Sequence, residues 1–455
     1  MAILFPPVVI FKASTISFIL RPRQLLIRLG IVKDFKQKPI QTKPERNTLK
    51  YLDFVDLTYK PKETDLTCTF YLEPEGISLK EAAGGVAAES SVGTWTELTT
   101  EPPYVTRLAA RVFSIESNVV KIAYPVELFE PANMPNILSS VAGNVFGLKV
   151  LKNLRLMDIQ IPKMLIASFK GPMFGIAGIR KLLKVPERPL VGTIIKPKLG
   201  LDTKDHARVA YDAWSGGCDI VKDDENLSSQ KFNPFEQRLS QTLENRDKAQ
   251  KETGERKVYM VNITAETATM LKRAEAVTAQ GGEYIMVDIL TIGWSALQTL
   301  RDQNSKLVIH AHRAGHAAFT KNLKHGIAMR PIATVARVIG VDQLHVGTVV
   351  GKMSETKAEV LENIEACKSQ LSGLKPVLPV ASGGLHPRLV PALLDTFGND
   401  VVIQAGGGIH GHPDGTVAGA KAMRQAVDAK LKGLTLEEYA ETHRELKAAL
   451  KHWKA

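Results

Sequence analysis

Lys196 and Lys198 stand two residues apart in Ile195-Lys196-Pro197-Lys198-Leu199-Gly200. Side chains two apart on a strand share a face, so both ammonium groups can address one ligand; they suit an anionic substrate and depress each other's pKa. A solvated basic turn is the competing reading. Val221-Lys222-Asp223-Asp224-Glu225-Asn226 sets three carboxylates behind another lysine. Asp224 and Glu225 offer hard oxygen donors of the kind Mg2+ takes, with other positions left to water or substrate. Lys222 shares a face with Asp224 and is no ligand while it is an ammonium. If neighbouring cations keep its amine neutral and the amine adds CO2, the carbamate becomes a third anionic oxygen ligand and a base. A hydrated acidic loop would account equally well for three consecutive carboxylates.

Further along, His310 and His312 share a face in His310-Ala311-His312-Arg313-Ala314-Gly315-His316, and Arg313 can grip a phosphate with its fork. The same pair reads alternatively as a zinc site, since some barrel hydrolases combine His-x-His with a carbamylated lysine; there the histidines come first, and here they follow. His345 taken alone is a satisfied core histidine, but it precedes Gly347-Thr348-Val349-Val350-Gly351-Lys352-Met353, a segment that reads as a mobile lid bringing a cation over bound substrate. An ordinary glycine-rich turn is the alternative. Ser382-Gly383-Gly384 and Gly406-Gly407-Gly408 lack the side chains that would keep an anion from backbone N–H groups. Two such cradles imply a bisphosphate.

These groups make one site only if the fold gathers them. Eight short strand candidates recur, each followed by enough chain for a helix: 191–198, 218–224, 257–264, 284–290, 307–313, 343–348, 377–383 and 401–406. The spacing predicts a (β/α)8 barrel, whose active site lies at the C-terminal strand ends and whose last two loops commonly hold phosphate. A doubly wound sheet fits less well, because no GxGxxG follows the first strand. The reactive residues fall at the ends of at least six of the eight candidates. Ahead of the barrel, strand-like segments 51–57, 66–72 and 119–125 and a helix-like stretch 78–90 predict a smaller α+β domain. The expected domain division is 1–48, a basic extension; 49–168, the α+β domain; 169–434, the catalytic barrel; and 435–455, a helix with Thr435 and Glu438 spaced as a capping box.

The composition, 455 residues with 44% hydrophobic and 23% charged, is that of a globular protein and excludes disorder or collagen-like structure. Of the net charge of +12, +8 belongs to residues 1–50, with ten basic residues and two acids. That segment is expected to be a poorly ordered extension or an upstream-misassigned start, with a transit peptide as the alternative. A nucleic-acid-binding function would rest on it alone, and no nucleic-acid partner is expected. No window approaches the roughly 20 apolar residues that span a bilayer, so no membrane partner is expected either. Cys68, Cys218 and Cys367 form no CxxC pair, and a reducing cytoplasm is the expected setting.

Together the motifs GTIIKPKLG, GGCDIVKDDEN, HAHRAGH, HVGTVVGKM, SGGLHP and QAGGGIHGHPDG resemble the large subunit of ribulose-1,5-bisphosphate carboxylase/oxygenase (RuBisCO), over about residues 51–453 and most closely its archaeal, form III branch. The resemblance implies carboxylation of ribulose 1,5-bisphosphate by CO2 and water to two 3-phosphoglycerate, with O2 competing. It implies Mg2+ held by carbamylated Lys222, Asp224 and Glu225. Lys222 as its carbamate would remove the C3 proton, Lys196 would serve proton transfer to the product carbanion, and Lys198 would help hold the intermediate. His312 would bind substrate and handle protons. Arg313 and His345, assisted by Ser382, would bind one phosphate; Gly383, Gly384, Gly406 and Gly407 would line the other phosphate region. Lys352 would be the lid lysine that orients CO2 or O2.

Segments 88–95 and 143–147 resemble those that reach a neighbouring subunit's barrel, so Glu89, Thr94, Trp95 and Asn144 would complete the site in trans. A homodimer is then the minimal active unit, with rings of dimers known in the archaeal branch. The form III placement implies a role in AMP or nucleoside ribose salvage. Ile194 replaces a substrate-contacting Thr of plant-type enzymes, with Thr193 adjacent; Gly315 replaces a common Met, and Ser354 stands where an acid is usual after the lid lysine. A RuBisCO-like enolase or isomerase of sulfur metabolism is the alternative; such proteins lose several of these residues, and here all are present.

Overall fold

Two textures of apolar patterning give two kinds of sheet. The computed structural model describes residues 49–454 apart from 97, 304–305 and 352–354. In it β1 (Leu66–Pro74), β2 (Arg111–Glu116), β3 (Val119–Tyr124) and β4 (Leu151–Gln160) form an antiparallel sheet in the order β4-β1-β3-β2. Along β1 every second residue from Leu66 to Leu72 is buried, the period-two signature of a sheet with one covered face. Helix Leu79–Glu89 starts at Ser78, whose hydroxyl accepts the Glu81 N–H, and buries the small residues Ala82 to Ala88. Residues 51–57 do not form the expected strand. Tyr51–Phe54 is a 3-10 turn lying so close to the helix that a Cβ at Gly84 would sit 2.0 Å from the Tyr51 carbonyl oxygen.

The remaining strands are β5 (Leu190–Ile194), β6 (Ile220–Lys222), β7 (Val258–Asn262), β8 (Tyr284–Asp288), β9 (Val308–His312), β10 (Gly326–Ile327), β11 (Gln343–His345), β12 (Leu378–Ser382) and β13 (Val402–Gln404). All but β10 close into a parallel barrel in the order β11-β12-β13-β5-β6-β7-β8-β9, with β9 bonded back to β11. Every expected strand has its counterpart there. β7 and β8 are buried at all five positions, as strands covered on both faces must be. β10 instead runs parallel to β4 and extends the amino-terminal sheet.

Register sorts the barrel interior into layers. Tyr284 pairs with Val308, Met286 with His310 and Asp288 with His312. Side chains two apart share a face, so the lining passes from apolar to ionisable towards the C-terminal strand ends. Below, Leu190, Ile220, Val258, Met260, Tyr284, Met286, Val308, Leu378, Val380 and Val402 pack with Ile179 and Leu183 of helix Gly175–Leu183. Within the barrel the ionisable lining therefore lies at the upper mouth. At the carboxyl end, the expected single helix is two, Leu436–Ala440 and Arg444–His452; the Thr435–Glu438 capping box forms as read. Tyr439 and His443 stack with centroids 3.8 Å apart across the break.

Candidate active site

β6 ends on Lys222, whose amine is fully buried and donates to the Asp223 carbonyl at 2.7 Å, with Glu225 Oε2 at 3.8 Å. Burial pushes the Lys222 ammonium down, against the opposing pull of Glu225, Asp288, Asp224 and Asp223. Alternation then turns Asp223 outward, into a cage of its own. It accepts from His206 Nε2 at 3.0 Å, Arg238 Nε at 3.1 Å, the Tyr259 hydroxyl at 2.6 Å and the Asn262 N–H at 3.0 Å. Burial disfavours the charge, but Arg238 and His206 overcome it and hold the carboxyl well below the usual range. Asp223 is therefore the anchor of the loop, and Asp224 and Glu225 are the carboxylates left for the mouth. The Asn262 amide fixes that loop from outside, donating to the Glu225 and Leu227 carbonyls at 3.0 and 2.9 Å.

Asp224 is 1% exposed and its Oδ2 accepts from Lys196 Nζ at 2.6 Å. Glu225 lies between Lys222 and His312, each at 3.8 Å; burial raises its pKa, and those two neighbours, with its own backbone N–H and Lys196, more than reverse the effect. His312 Nδ1 is 2.5 Å from Asp288 Oδ1 across the β8–β9 register, which directs Nε2 towards Glu225. The donor set fits a hard divalent cation: two carboxylates at one strand end, beside a buried amine that carbamylation would turn into a third anionic oxygen. Among the described residues no group of three His, Cys, Asp or Glu side chains is arranged to hold a metal.

Some residues stand differently from the sequence expectation. β5 ends at Ile194, so Lys196 and Lys198 sit on the turn that follows, where Pro197 has no N–H to continue the ladder. Lys196 reaches Asp224, whereas Lys198 turns outward to Asn226 Oδ1 at 3.4 Å. The Thr193 hydroxyl is buried, donating to the Ala405 carbonyl at 2.7 Å with His410 Nε2 at 3.0 Å, so it cannot stand in for the Thr that Ile194 replaces. His310 and His312 both lie against the His345 ring, with centroids 4.8 Å away, but do not form a metal pair. His310 Nδ1 meets Gln343 Oε1 at 2.9 Å and its Nε2 meets His345 Nε2 at 2.8 Å, which leaves no lone pair for a shared zinc. The other nitrogen of His345 lies 2.7 Å from Ser382 Oγ, so both its ring positions are used within the protein. Burial pulls both imidazoles well below their ordinary range and keeps them neutral.

Arg313 is buried; one arm donates to Glu355 Oε1 at 2.5 Å, and Nη1 has no partner among the described residues. Gly383 and Gly384 adopt φ of 118° and 75°, which only glycine takes freely, and a Cβ on Gly351 would meet the Gly383 carbonyl at 2.3 Å. Gly407 faces open space where a side chain would stand, and Gly406 lies against Lys196. Lys352, with Met353 and Ser354, lies outside the described residues, as does the 1–48 extension.

Glu89 accepts the Tyr51 hydroxyl at 2.9 Å, and Asn144 and Trp95 are exposed, Trp95 at 81%. Among the described residues neither these three nor Thr94 hydrogen-bonds to the strand-end cluster. Reading the sequence missed Asp288, Gln343, Glu355, Asn262 and the cage of Asp223. Asp288 ends the fourth barrel strand and carried the same signal as the residues that were found; the others are defined by partners distant in sequence. No described helix is long and apolar enough to cross a membrane.

Two family descriptions match the chain: ribulose bisphosphate carboxylase large chain, catalytic domain, over residues 175–453, and the N-terminal domain of the same chain over residues 53–165. The ribulose bisphosphate carboxylase of Pyrococcus abyssi is 51% identical over 409 residues, 89% of this chain and 96% of its own. That of Methanosarcina barkeri is 50% identical over 422 residues, 88% of this chain and 99% of its own. Among solved structures, the octameric enzyme of Pyrococcus horikoshii in complex with sulfate superposes with a TM-score of 0.87 at 50% identity, covering 90% of this chain and 98% of that one. A dimeric archaeal Rubisco from Hyperthermus butylicus gives 0.83 at 46%, covering 89% and 99%. With both domains matched and half of the aligned residues shared with archaeal carboxylases, the chain belongs to the ribulose bisphosphate carboxylase large-chain family.

Proposed function

We propose that the strand-end cluster adds CO2 and water to D-ribulose 1,5-bisphosphate and cleaves the product to two 3-phosphoglycerate, with O2 as a competing substrate. The observation that carries the reading is Lys222: a fully buried amine, pulled down by its burial, beside Glu225 and on the same strand end as Asp224. Only a neutral amine adds CO2. The addition forms an N–C bond, releases one proton and leaves a carbamate anion, which with Asp224 and Glu225 makes a site for Mg2+. When bound, the metal supplies positive charge opposite the sugar oxygens that become negative as the C3 proton leaves.

The protein does the rest. Lys222, as its carbamate, takes the C3 proton. Lys196, held at Asp224, returns a proton to the product carbanion, and Lys198 helps hold the intermediate from the outer rim. His312, oriented by Asp288, handles protons at Nε2. Arg313 grips one phosphate, with Ser382 aimed by His345; backbone N–H groups at Gly383, Gly384, Gly406 and Gly407 take the other. Lys352 orients CO2 or O2 from the lid. A second copy of the chain covers Trp95 and brings Glu89, Thr94 and Asn144 to its neighbour's barrel, making a homodimer the active unit, with rings of dimers as the larger assembly. We place the reaction in the cytoplasm, in AMP or nucleoside ribose salvage. An enolase of sulfur metabolism would not need the intact set of lysines and carboxylates found here.

The test is 14CO2 fixation with ribulose bisphosphate after preincubation with CO2 and Mg2+, run beside Lys222→Ala. The wild type is expected to form acid-stable label and the variant none. A wild type that fixes nothing, or a variant that fixes as well, overturns the proposal.

A further inference from the structure

Ser382, His345, His310 and Gln343 form one unbranched hydrogen-bonded chain from the barrel mouth into the wall: Ser382 Oγ to His345 Nδ1 at 2.7 Å, His345 Nε2 to His310 Nε2 at 2.8 Å, and His310 Nδ1 to Gln343 Oε1 at 2.9 Å. Both rings are fully buried and neutral. A neutral imidazole has one N–H and one lone pair. The three bonds must therefore all point the same way, and only two arrangements exist.

With the Gln343 oxygen towards His310, His310 donates from Nδ1, His345 donates from Nε2 to His310, and Ser382 spends its only proton on His345. The reverse order requires the Gln343 amide to turn and donate from Nε2; His310 then donates to His345, His345 donates from Nδ1 to Ser382, and the Ser382 proton is free for another acceptor. Both arrangements contain the same three hydrogens on the two rings and the hydroxyl, so the exchange is a tautomerisation of two rings with no change of charge.

The amide itself is poised between them. Gln343 is fully buried, and in the observed orientation its Nε2 has no hydrogen-bond partner among the described residues. A buried orphan N–H is a costly arrangement, worse than an under-satisfied carbonyl. The forward order thus leaves both donors of Gln343 Nε2 unused, and the reverse order uses one of them while releasing the serine.

We propose that Gln343 is a positioning residue for the phosphate end of the substrate: its amide orientation sets the proton order of the chain, and turning it frees the Ser382 hydroxyl to donate to a phosphate oxygen. This rests on the reading that Ser382 faces a substrate phosphate. Gln343 touches no substrate; it acts through two histidines whose ring nitrogens are wholly committed to the chain.

The experiment is a double-mutant cycle read in KM and kcat for ribulose bisphosphate in the assembled enzyme. Gln343→Glu, assayed at a pH where its carboxyl is ionised and His310 neutral, accepts only and locks the serine proton inward, so KM is expected to rise roughly tenfold, the value of one hydrogen bond to a charged group, with kcat within about twofold. Ser382→Ala should raise KM by a similar factor. Because both remove the same bond, the double variant should be no worse than either single one. Multiplying effects would overturn the role of Gln343 and leave the phosphate reading standing. A Ser382→Ala enzyme with unchanged KM would overturn both.

A second measurement needs no substitution at 343. In 15N-histidine-labelled wild type, the His345 signal, assigned by its loss in His345→Asn, should pass from the Nε2–H to the Nδ1–H tautomer on saturation with a non-reacting bisphosphate. An unmoved tautomer overturns the inference.

Discussion

Replacing Arg238 with Met would leave the Asp223 carboxylate charged and fully buried, with its main counter-charge gone. Arg238 is itself buried and also donates to the Asn233 and Ser228 carbonyls at 2.8 and 2.6 Å, so the substitution strips a charge pair and two loop contacts together. Breaking a buried pair from one side costs about 3–5 kcal/mol, because the survivor is left uncompensated. Three hydrogen bonds to Asp223 remain, from His206, Tyr259 and Asn262, which places the expected loss near ~3 kcal/mol. Arg238→Met combined with Asp223→Asn removes both charges and should be the more stable of the two proteins, with a coupling of about 2 kcal/mol. Urea unfolding at fixed protomer concentration measures this. Lys222 donates to the Asp223 carbonyl, so 14CO2 fixation by Arg238→Met should fall even in buffer where the protein stays folded. A single variant that loses under about 1 kcal/mol, or a double variant that loses the sum of two single losses, would refute the anchoring of this loop by a buried charge cage.

Asp288→Asn should lower kcat at least about tenfold with a smaller change in KM, because the His312 ring loses the carboxylate that orients it; steady-state kinetics decides. Burial draws His410 down to about 4. Its folded pKa lies below that of the unfolded chain, near 6.5, so the unfolded state binds the extra proton in between. Stability present above about pH 6.5 is then lost as pH falls towards 4, by about 1.4 kcal/mol per unit; urea midpoints should fall less steeply for His410→Gln. Gly408→Ala would set a Cβ 1.9 Å from the Leu385 carbonyl oxygen, pushing apart the loops after β12 and β13; a raised KM for the bisphosphate and a lower melting temperature are expected.

The barrel and the separation of Asp223 from Asp224 are legible because both follow from local periodicity: a two-residue repeat assigns Lys222 and Asp224 to one face and Asp223 to the other. Partners set by register between strands are not. Asp288 meets His312 and Gln343 meets His310 only because two parallel strands pair in one register among several, and nothing in either segment encodes the offset. The turn at Tyr51–Phe54 looks like a strand in sequence because a short apolar alternation carries no trace of the glycine at 84 that lets a helix press against it. Alternation places Lys198 at the mouth only if the strand continues, and the strand stops at Ile194.

β10 has a consequence for the order in which the molecule can be built. β4 lies between β1 and β10, and its outer edge is closed by Ala328 N–H donating to the Leu156 carbonyl at 2.8 Å, with Lys324 paired to Glu73 at 2.6 Å nearby. A ribosome making this chain completes β1 to β4 early, yet the strand that seals them is not synthesised until residue 327 of 455. Throughout that interval β4 is an open edge able to recruit any extended segment, its own or another chain's. Capture by a chaperone or by a sister nascent chain competes with the proper closure for as long as translation of the first five barrel strands lasts.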